Sequence, residues 1–313
     1  MTHTDLSVLF SNLVGLFLLI GVGFMAVRLR VLPAEASKPM SALLMKITLP
    51  ATIFASMIRP YDPSFLSLGI AALVLSALFF PLYAALSLPL SRLFRVPQGR
   101  RGMWCCCTTF CNNGFMGFPV AYALFGDDGL ILAVIMGIPF NLLIYTLGAK
   151  MVCMDAAPGD DRSLSLRSAL LSPIYGAILL SLIFYFAQIT VPGPILTPIQ
   201  HLSNVTTPLS MFVTGMNLAQ GKVSDTVRDR DAISASLVRL LLFPVMTWAL
   251  MLPFTSLDPL VVGVTLVIMA MPAPAASTIM GEQYGGCVQL GARVVFLSSL
   301  LCILTLPLVA LLL

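Results

Sequence analysis

The chain alternates long apolar stretches with short polar ones. Ten of the apolar stretches are close to the roughly 20 residues that an α-helix needs to cross the hydrocarbon core of a bilayer. The predicted transmembrane spans are residues 6–27, 37–57, 64–91, 101–126, 129–150, 167–188, 198–221, 232–253, 259–284 and 288–312. The pattern therefore predicts an all-α, polytopic membrane protein with ten transmembrane helices and short connections.

The composition supports the same class of protein. Of the 313 residues, 58% are hydrophobic and 10% are charged, whereas soluble domains carry about 25% charged residues. Such a chain has too few polar residues to cover the surface of a soluble fold of this length. The net charge of +4 does not indicate nucleic-acid binding, because the basic residues fall in short runs between apolar stretches. The lipid bilayer is therefore an expected partner, and nucleic acid is not.

The basic residues predict the orientation of the chain in the membrane. If the N-terminus is outside, Arg59 is the basic residue of the outer loops, and the other loop residues of this type lie on the cytoplasmic side. The cytoplasmic set is Arg28, Arg30, Lys38, Arg92, Arg95, Arg100, Arg101, Lys150, Arg162, Arg167, Lys222, Arg228 and Arg230. Because Lys and Arg are enriched in cytoplasmic loops, we expect a multi-pass protein of the cell (inner) membrane with both termini on the outer side.

Two pairs of segments indicate an internal duplication. The segment "ITLPATIF" (47–54) resembles "VTTPLSMF" (205–212), and "LFFPLYAAL" (78–86) resembles "LLFPVMTWAL" (241–250). Each pair lies in corresponding spans of the two halves of the chain. Because each half holds five spans, which is an odd number, the second half must be inverted in the membrane. Inverted repeats with interrupted helices at corresponding places are typical of secondary transporters.

The duplication defines the predicted domains. Residues 1–150 form the first five-helix repeat, residues 151–166 a cytoplasmic linker, and residues 167–313 the second, inverted repeat. Each repeat contains a span with helix-breaking residues: "CNNGFMGFPV" (111–120) in the fourth and "MAMPAPAASTIMGEQYGG" (269–286) in the ninth. Proline removes a backbone donor and clashes with the preceding turn. Backbone freed in this way is tolerated at membrane depth only where it is buried in protein or lines a wet cavity.

The two interruptions predict an anion-binding site near the middle of the membrane. Half-helices that begin after Asn113 and near Pro274 would point their N-termini, each with about half a positive charge, into the centre. Two such ends favour a carboxylate. We expect the amide of Asn112 and the backbone of Asn113 and Gly114 to bind it. The other candidates keep the interruptions open or line the second half-helix: Pro119, Pro272, Pro274, Ser277 and Thr278. The alternative is that Asn-Asn-Gly only kinks a packed helix.

Charged residues within the spans are few. Lys46 in the second span and Arg239 in the eighth both lie nearer to the cytoplasmic face. Either these side chains snorkel to the interface, or they face an aqueous cavity and attract an anion. Because no Asp or Glu lies at mid-depth, uniport or cotransport with a proton on the substrate fits better than proton exchange through a carboxylate. No metal or cofactor is predicted, but a sodium site that includes the hydroxyls of Ser277 and Thr278 is an open alternative.

Several segments resemble the auxin efflux carrier family. The stretch "CNNGFMGFPVAYALFGDDGL" is similar to the fourth-span signature of that family, and "MPAPAASTIMGEQYGG" to its ninth-span signature. The stretch "TTPLSMFVTGMNLA" resembles the seventh span, and "GIPFNLLIYTLGA" the fifth. The resemblance covers essentially the whole chain, and it includes bacterial malonate and malate permeases.

The resemblance implies a fold like that of the bile-acid symporter and sodium–proton antiporter superfamily, with the fourth and ninth spans crossing. Spans 3–5 and 8–10 would form a transport domain that moves as an elevator against a scaffold of spans 1, 2, 6 and 7. Plant members dimerise through that scaffold, so a homodimer is expected. In plant PIN-type carriers an asparagine at the fourth-span crossover contacts the auxin carboxylate, and Asn112 matches it. Pro272 matches the ninth-span proline, whereas Cys111 replaces a crossover proline of the plant members.

These features predict a secondary transporter and not an enzyme, because the chain carries none of the motifs expected of an intramembrane active site. The expected substrate is a small organic anion, a mono- or dicarboxylate that resembles auxin or malonate. Two alternatives stay open. One is a sodium-coupled organic-anion symporter of the bile-acid type, which sodium dependence of uptake would identify. The other is a membrane sensor that binds its ligand without transporting it.

Overall fold

The structure is a computed structural model that describes residues 6–61, 63–156, 173–220, 226–254 and 256–312. These residues are largely helical, and no strand occurs among them. In chain order the helices are α1 (Leu6–Arg28), α2 (Ala34–Met57), α3 (Pro63–Leu93), α4 (Gln98–Thr109), α5 (Phe118–Leu143), α6 (Pro173–Ala187), α7 (Gly193–Gln220), α8 (Arg230–Met251), α9 (Pro259–Met269), α10 (Ala276–Tyr284) and α11 (Val288–Ala310). The linker predicted at 151–166 lies outside the described residues from residue 157 onward.

Five helical stretches of the described chain are long and apolar enough to cross a bilayer: Ala34–Met57, Phe65–Leu93, Gln98–Cys153, Arg230–Met251 and Val288–Ala310. Three further apolar helices are shorter: Val14–Arg28, Gly176–Ala187 and Pro259–Met269. The third stretch has 56 residues, which is enough for two crossings. It turns back at Gly126, whose φ of 68° suits glycine. The described residues therefore form a multi-pass, all-helical membrane protein.

The seventh predicted span, 198–221, differs from the structure at its start. The helix α7 begins earlier, at Gly193, and Pro194 already occupies its first turn, where a proline loses no helical hydrogen bond. Pro198 is accommodated inside the helix. The helix α7 is also not among the apolar stretches named above, because it carries several Thr, Ser and Asn residues along its length.

Prolines account for most of the π-helical turns in the described helices. Three of these turns end two residues before a proline: Leu44–Thr48 before Pro50, Asn113–Gly117 before Pro119, and Val238–Leu242 before Pro244. Proline has no N–H for the carbonyl one turn earlier, and its ring clashes with that carbonyl. Widening the turn relieves the clash, and π-helical bulges of this kind are frequent at functional sites.

The helices pack in two groups. The first group is α1, α2, α6 and α7, and the second is α3 to α5 with α8 to α11; each packs mainly within itself. In the first group, Gly23 of α1 lies against the backbone of Phe212 in α7. Gly215 of α7 lies against the backbone of Ile20 in α1. Such small residues allow membrane helices to approach closely.

The duplicated segments contact each other. Thr52 of the segment 47–54 shares a hydrogen bond of 2.6 Å with Thr206 of its counterpart. Tyr83 of the segment 78–86 stacks on Phe243 of its counterpart, with ring centroids 4.2 Å apart. The Tyr83 hydroxyl also donates to the carbonyl of Phe243 over 2.9 Å. One such contact therefore lies in each group of helices.

Candidate functional site

Two helices are interrupted, and the interruptions touch. The residues 110–112, between α4 and the π-helical turn that leads into α5, are not helical. The residues 270–275, between α9 and α10, are not helical either. The N–H of Asn112 donates to the carbonyl of Pro272 over 2.7 Å. The two segments that carry the predicted site therefore lie side by side, and we call this place the crossover.

Further hydrogen bonds hold the second interruption in a defined conformation. Buried backbone N–H and carbonyl groups need partners. The N–H of Ala273 donates to the hydroxyl of Ser298 in α11 over 3.0 Å. The hydroxyl of Ser277 donates to the carbonyl of Pro274 over 2.7 Å. The crossover is therefore a built structure and not a frayed pair of helices.

Arg239 binds the ends of both interrupted helices. Its Nη1 donates to the carbonyls of Thr108 and Thr109, at 3.2 and 3.0 Å. Its Nε donates to the carbonyl of Met271 over 3.0 Å, and its Nη2 to that of Met269. The last carbonyls of a helix have no N–H partner within it, so the guanidinium supplies the missing donors. The side chain is fully buried, and the snorkelling interpretation of this residue is therefore wrong.

The first interruption is flanked by buried polar atoms without partners. The side chain of Asn113 is 2% exposed, and neither its nitrogen nor its oxygen has a hydrogen-bond partner among the described residues. The same is true of the hydroxyl of Thr109. Buried polar groups are normally paired, and an unpaired one costs about 1–3 kcal/mol. These are the groups that a bound polar ligand would satisfy.

Glycines lie around the carboxamide of Asn113. A β-carbon on Gly117 would lie 3.1 Å from its oxygen, and one on Gly137 would lie 3.3 Å from its nitrogen. One turn after Gly137 in α5, Asn141 donates to the Gly137 carbonyl over 2.7 Å and is partly exposed. The sequence pattern missed Asn141 and Thr109. A helical break marks Asn112 and Asn113, whereas only the folded helices bring α5 to the crossover.

The hydroxyls of Ser277 and Thr278, which were predicted to line the second half-helix, already have hydrogen-bond partners. The hydroxyl of Thr278 donates to the carbonyl of Ala275 over 2.9 Å, as that of Ser277 does within the same turn. Both hydroxyl hydrogens are therefore used in hydrogen bonds to carbonyls of the same turn. Pro272 and Pro274 are buried within the interruption, where their missing N–H groups break the helix. The role of these residues in binding stays a prediction.

The remaining predicted residues are Gly114, Pro119 and Lys46, and they differ in burial. Gly114 lies beside Met45, whose terminal carbon would be 3.6 Å from a β-carbon at Gly114. Pro119 is buried in the first turn of α5. Lys46 is exposed and shows no hydrogen bond or ion pair to any described residue. An attraction of anions by Lys46 stays a prediction, since nothing in the described structure brings it to the crossover.

The sequence model of the family described as "Membrane transport protein" matches residues 8–310. This chain belongs to that family. It is also known as the auxin efflux carrier family, the one that the interrupted segments resemble. The chain is 27% identical over 313 residues to an uncharacterized transporter of Methanothermobacter thermautotrophicus, and the match covers 98% of this chain and 96% of the relative. It is 26% identical over 297 residues to an uncharacterized transporter of Methanocaldococcus jannaschii, and the match covers 93% of this chain and 94% of the relative.

In this membrane transport protein, ion pairs join three helix starts at one end of the second group. The carboxylate of Asp229, before α8, pairs with Arg100 of α4 at 2.5 Å and with Arg293 of α11 at 2.6 Å. Asp229 also caps α8 by accepting from the N–H groups of Asp231 and Ala232. Burial alone would raise the pKa of Asp229, but hydrogen bonds from Arg293 and Arg100 hold that pKa below its ordinary value.

A second carboxylate binds backbone N–H groups in the second turn of α4. Asp155 accepts from the N–H of Gly102 over 2.7 Å and from that of Met103 over 2.8 Å. Burial raises the pKa of Asp155 above its ordinary value in spite of these bonds. The carboxylate ties the chain after α5 to the helix that leads into the crossover.

An ion pair between described residues connects the two groups of helices. Arg59, which follows α2 of the first group, pairs with Asp128, which follows the turn of α5 in the second. The guanidinium also lies 4.1 Å from the ring centroid of Phe65 at the start of α3. The Nε and Nη2 atoms of Arg59 have no partner among the described residues. The pair is therefore held by packing and by a single carboxylate contact.

Proposed function

We propose that this protein is a secondary transporter that binds the carboxylate of a small organic anion at the crossover. The buried carboxamide of Asn113, which has no partner among the described residues, carries the proposal. It stands at the start of a helix, where the first turn leaves N–H groups without helical partners, but the N–H of Asn113 itself donates to the carbonyl of Cys111 over 2.9 Å. An amide nitrogen donates and an amide oxygen accepts, so the side chain can bind a carboxylate and a neighbouring hydroxyl. The hydroxyl of Thr109 and the amide of Asn112 complete the proposed contacts.

The electrostatics of the crossover favour an anion. Each of the half-helices that begin at Asn113 and Ala276 presents about half a positive charge at its N-terminus. The negative ends of α4 and α9 are already occupied by Arg239. The positive ends therefore act on a ligand unopposed. Mono- and dicarboxylates related to auxin or malonate are the substrate class, and neither a cofactor nor a nucleic acid takes part.

The proposed movement is an elevator motion of the second group of helices against the first. The arrangement in two groups supports it, because few contacts would have to break at the boundary. A cleft at that boundary is lined by apolar residues of α2, α5 and α6, among them Ile53, Ile135 and Ile178. Because Asn113 is nearly inaccessible, the helices around the crossover must separate before a ligand reaches it. Such separation is what alternating access requires.

The topology and assembly of the transporter follow from the same proposal. We place the ends of α4, α8 and α11 that carry Arg100, Asp229 and Arg293 on the cytoplasmic side, because basic residues concentrate there. The Arg59–Asp128 pair then lies on the outer side, as do both termini, in the cell (inner) membrane. The protein would have ten spans in two inverted repeats, and the first group of helices would be its scaffold. Exposed apolar residues of α1, such as Leu18 and Val22, would allow a homodimer.

Uptake into proteoliposomes tests the proposed function. Labelled malonate, malate and indole-3-acetate would be offered with and without sodium and pH gradients. We expect uptake of at least one anion by the wild type and its loss in Asn113→Ala and Asn112→Ala. The matched control is Asn204→Ala, because Asn204 is an exposed asparagine of α7. That variant should keep wild-type uptake.

Three other outcomes would change the conclusion. Uptake that survives Asn113→Ala and Asn112→Ala in correctly folded protein would place the site away from the crossover. Uptake that requires sodium would favour a sodium-coupled symporter. Binding of an anion without flux, measured as thermal stabilisation in detergent, would indicate a sensor.

A further inference from the structure

Arg239 is a buried charge whose described partners are all backbone carbonyls. Its side chain is 0% exposed. None of the ion pairs among the described residues involves it. Its donors go instead to the ends of α4 and α9 and to Met271 in the second interruption. A buried charge is very unfavourable unless something of opposite sign compensates it.

The helix ends supply that compensation. The C-terminal end of each helix carries about half a negative charge, so the ends of α4 and α9 together offset about one positive charge. The N-terminal ends that start at Asn113 and Ala276 add about one positive charge of their own. With Arg239 the crossover is therefore positive by about one unit. Without it, the four helix ends would cancel, and the site would have no preference for an anion.

We propose that Arg239 determines the charge selectivity of the site, and that its positive charge makes the crossover accept one anionic group. The inference rests on the proposed function, since it assigns the preference of that same site. Arg239 does not have to touch the ligand. It acts by occupying the carbonyls of Thr108, Thr109 and Met269, which would otherwise repel an anion. It is a positioning residue for both interrupted helices and a source of their net charge.

The distances allow this effect. Thr109, which accepts from Arg239 over 3.0 Å, is separated from Asn112 by a chain that can span at most ~11 Å. A unit charge still acts strongly over ~10 Å in a protein interior of effective dielectric about 20. Arginine also fits the geometry, because its planar guanidinium presents five donors in a fixed fork. Arg239 lies in the π-helical turn Val238–Leu242, and its donors reach the ends of both α4 and α9.

The experiment separates the charge of Arg239 from its hydrogen bonds. Arg239→Gln removes the charge and keeps two donors, whereas Arg239→Lys keeps the charge with fewer donors in a different geometry. The control is Arg228→Gln, which removes an exposed charge. Uptake of indole-3-acetate and malonate would be compared with uptake of the neutral indole-3-acetamide and malonamide. Size-exclusion profiles and thermal unfolding would verify folding.

We expect Arg239→Gln to lower the preference for the anion over its amide by about tenfold or more. Arg239→Lys and Arg228→Gln should keep the preference, even if Arg239→Lys lowers the melting temperature. Equal loss in folded Gln and Lys variants, or no loss in the folded Gln variant, would overturn the inference. If the Gln variant does not fold, the Lys variant decides: a folded Lys protein without the anion preference overturns the inference.

Different results would reject the role of Arg239 and the proposed binding site. If Asn113→Ala abolishes uptake while folded Arg239→Gln keeps the anion preference, the site stands and the role of Arg239 is rejected. If uptake survives Asn113→Ala, or the wild type prefers the amides, the proposed site itself is rejected. The inference about Arg239 is then rejected with it.

Discussion

The N–H of Asn112 donates to the carbonyl of Pro272 over 2.7 Å, and this bond joins the interruption of one half of the chain to that of the other. In a regular helix the N–H of Asn112 would donate to the carbonyl of Thr108, but in this structure that carbonyl accepts from Arg239. The bond shows how each interruption satisfies the backbone that the other frees. Around it stand the groups that remain unsatisfied, and they define the candidate site.

The unpaired side chains of the site predict a separation between stability and transport. Replacing Asn113 with leucine or Thr109 with valine removes buried polar atoms that have no partner and nearly preserves their shape. We expect the free energy of unfolding to stay within about 1 kcal/mol of wild type or to rise, while uptake is lost. Thermal unfolding in detergent measures the first and proteoliposome uptake the second.

The control for this pair is Thr52→Val. The hydroxyl of Thr52 is bonded to Thr206 over 2.6 Å, so its loss should lower stability by about 1 kcal/mol. Strong destabilisation by Asn113→Leu would mean that the carboxamide has a structural partner and would argue against a ligand role.

The hydroxyl of Ser298 supports the second interruption, which predicts a local cost. Ser298→Ala leaves the buried N–H of Ala273 without its acceptor, so the variant should lose about 1–3 kcal/mol of stability. Ser299→Ala is the matched control, since Ser299 is also buried and has no hydrogen bond to the interruption in the described structure. Melting temperatures of the two variants would decide. A similar loss for both would show that the α11 packing matters and not the bond.

Close packing of α1 on α7 predicts a contrast between two neighbouring glycines. Gly23→Ala would press a methyl group into the backbone of Phe212, whereas Gly21→Ala meets no atom within 4 Å. Overpacking of this kind typically costs about 1–3 kcal/mol. We therefore expect Gly23→Ala to lower the melting temperature and Gly21→Ala to leave it unchanged. Equal behaviour of the two variants would contradict the helix approach seen here.

The ion pairs of Asp229 predict a pH dependence with a definite sign. Its folded-state pKa lies below the ordinary value of 3.8. A depressed carboxyl pKa stabilises the fold above the ordinary pKa, and this contribution is lost as the pH falls through the folded pKa. Asp229→Asn keeps an N-cap side chain but removes the charge, so it should cost about 1 kcal/mol near neutral pH.

Thermal unfolding of both proteins over a pH series measures this effect. The stability difference between wild type and Asp229→Asn should be constant near neutral pH. It should shrink as the pH falls below 3.8. A difference that persists unchanged well below that pH would show that the carboxylate contributes through shape or capping and not through its charge.

Local features of the sequence were enough to predict several parts of the protein. Hydropathy and length predicted helices through nearly all of the described chain, because a bilayer requires about 20 apolar residues per crossing. Asn112, Gly114, Pro272 and Pro274 predicted the two interruptions, because helix breaking is decided within one turn. The resemblance of the same segments to the auxin efflux carrier family was confirmed by the family match over residues 8–310.

Only the tertiary structure decided which polar groups are satisfied. In the sequence, Arg239 is a lone charge in an apolar span, and no periodicity reveals that it reaches carbonyls of α4 and α9. The same holds for Asn113, whose side chain stands out because nothing described bonds to it, and for Asn141. The physical reason is that breaks and spans depend on neighbouring residues along one helix. Hydrogen bonding and charge compensation depend instead on groups that come together only when distant helices pack.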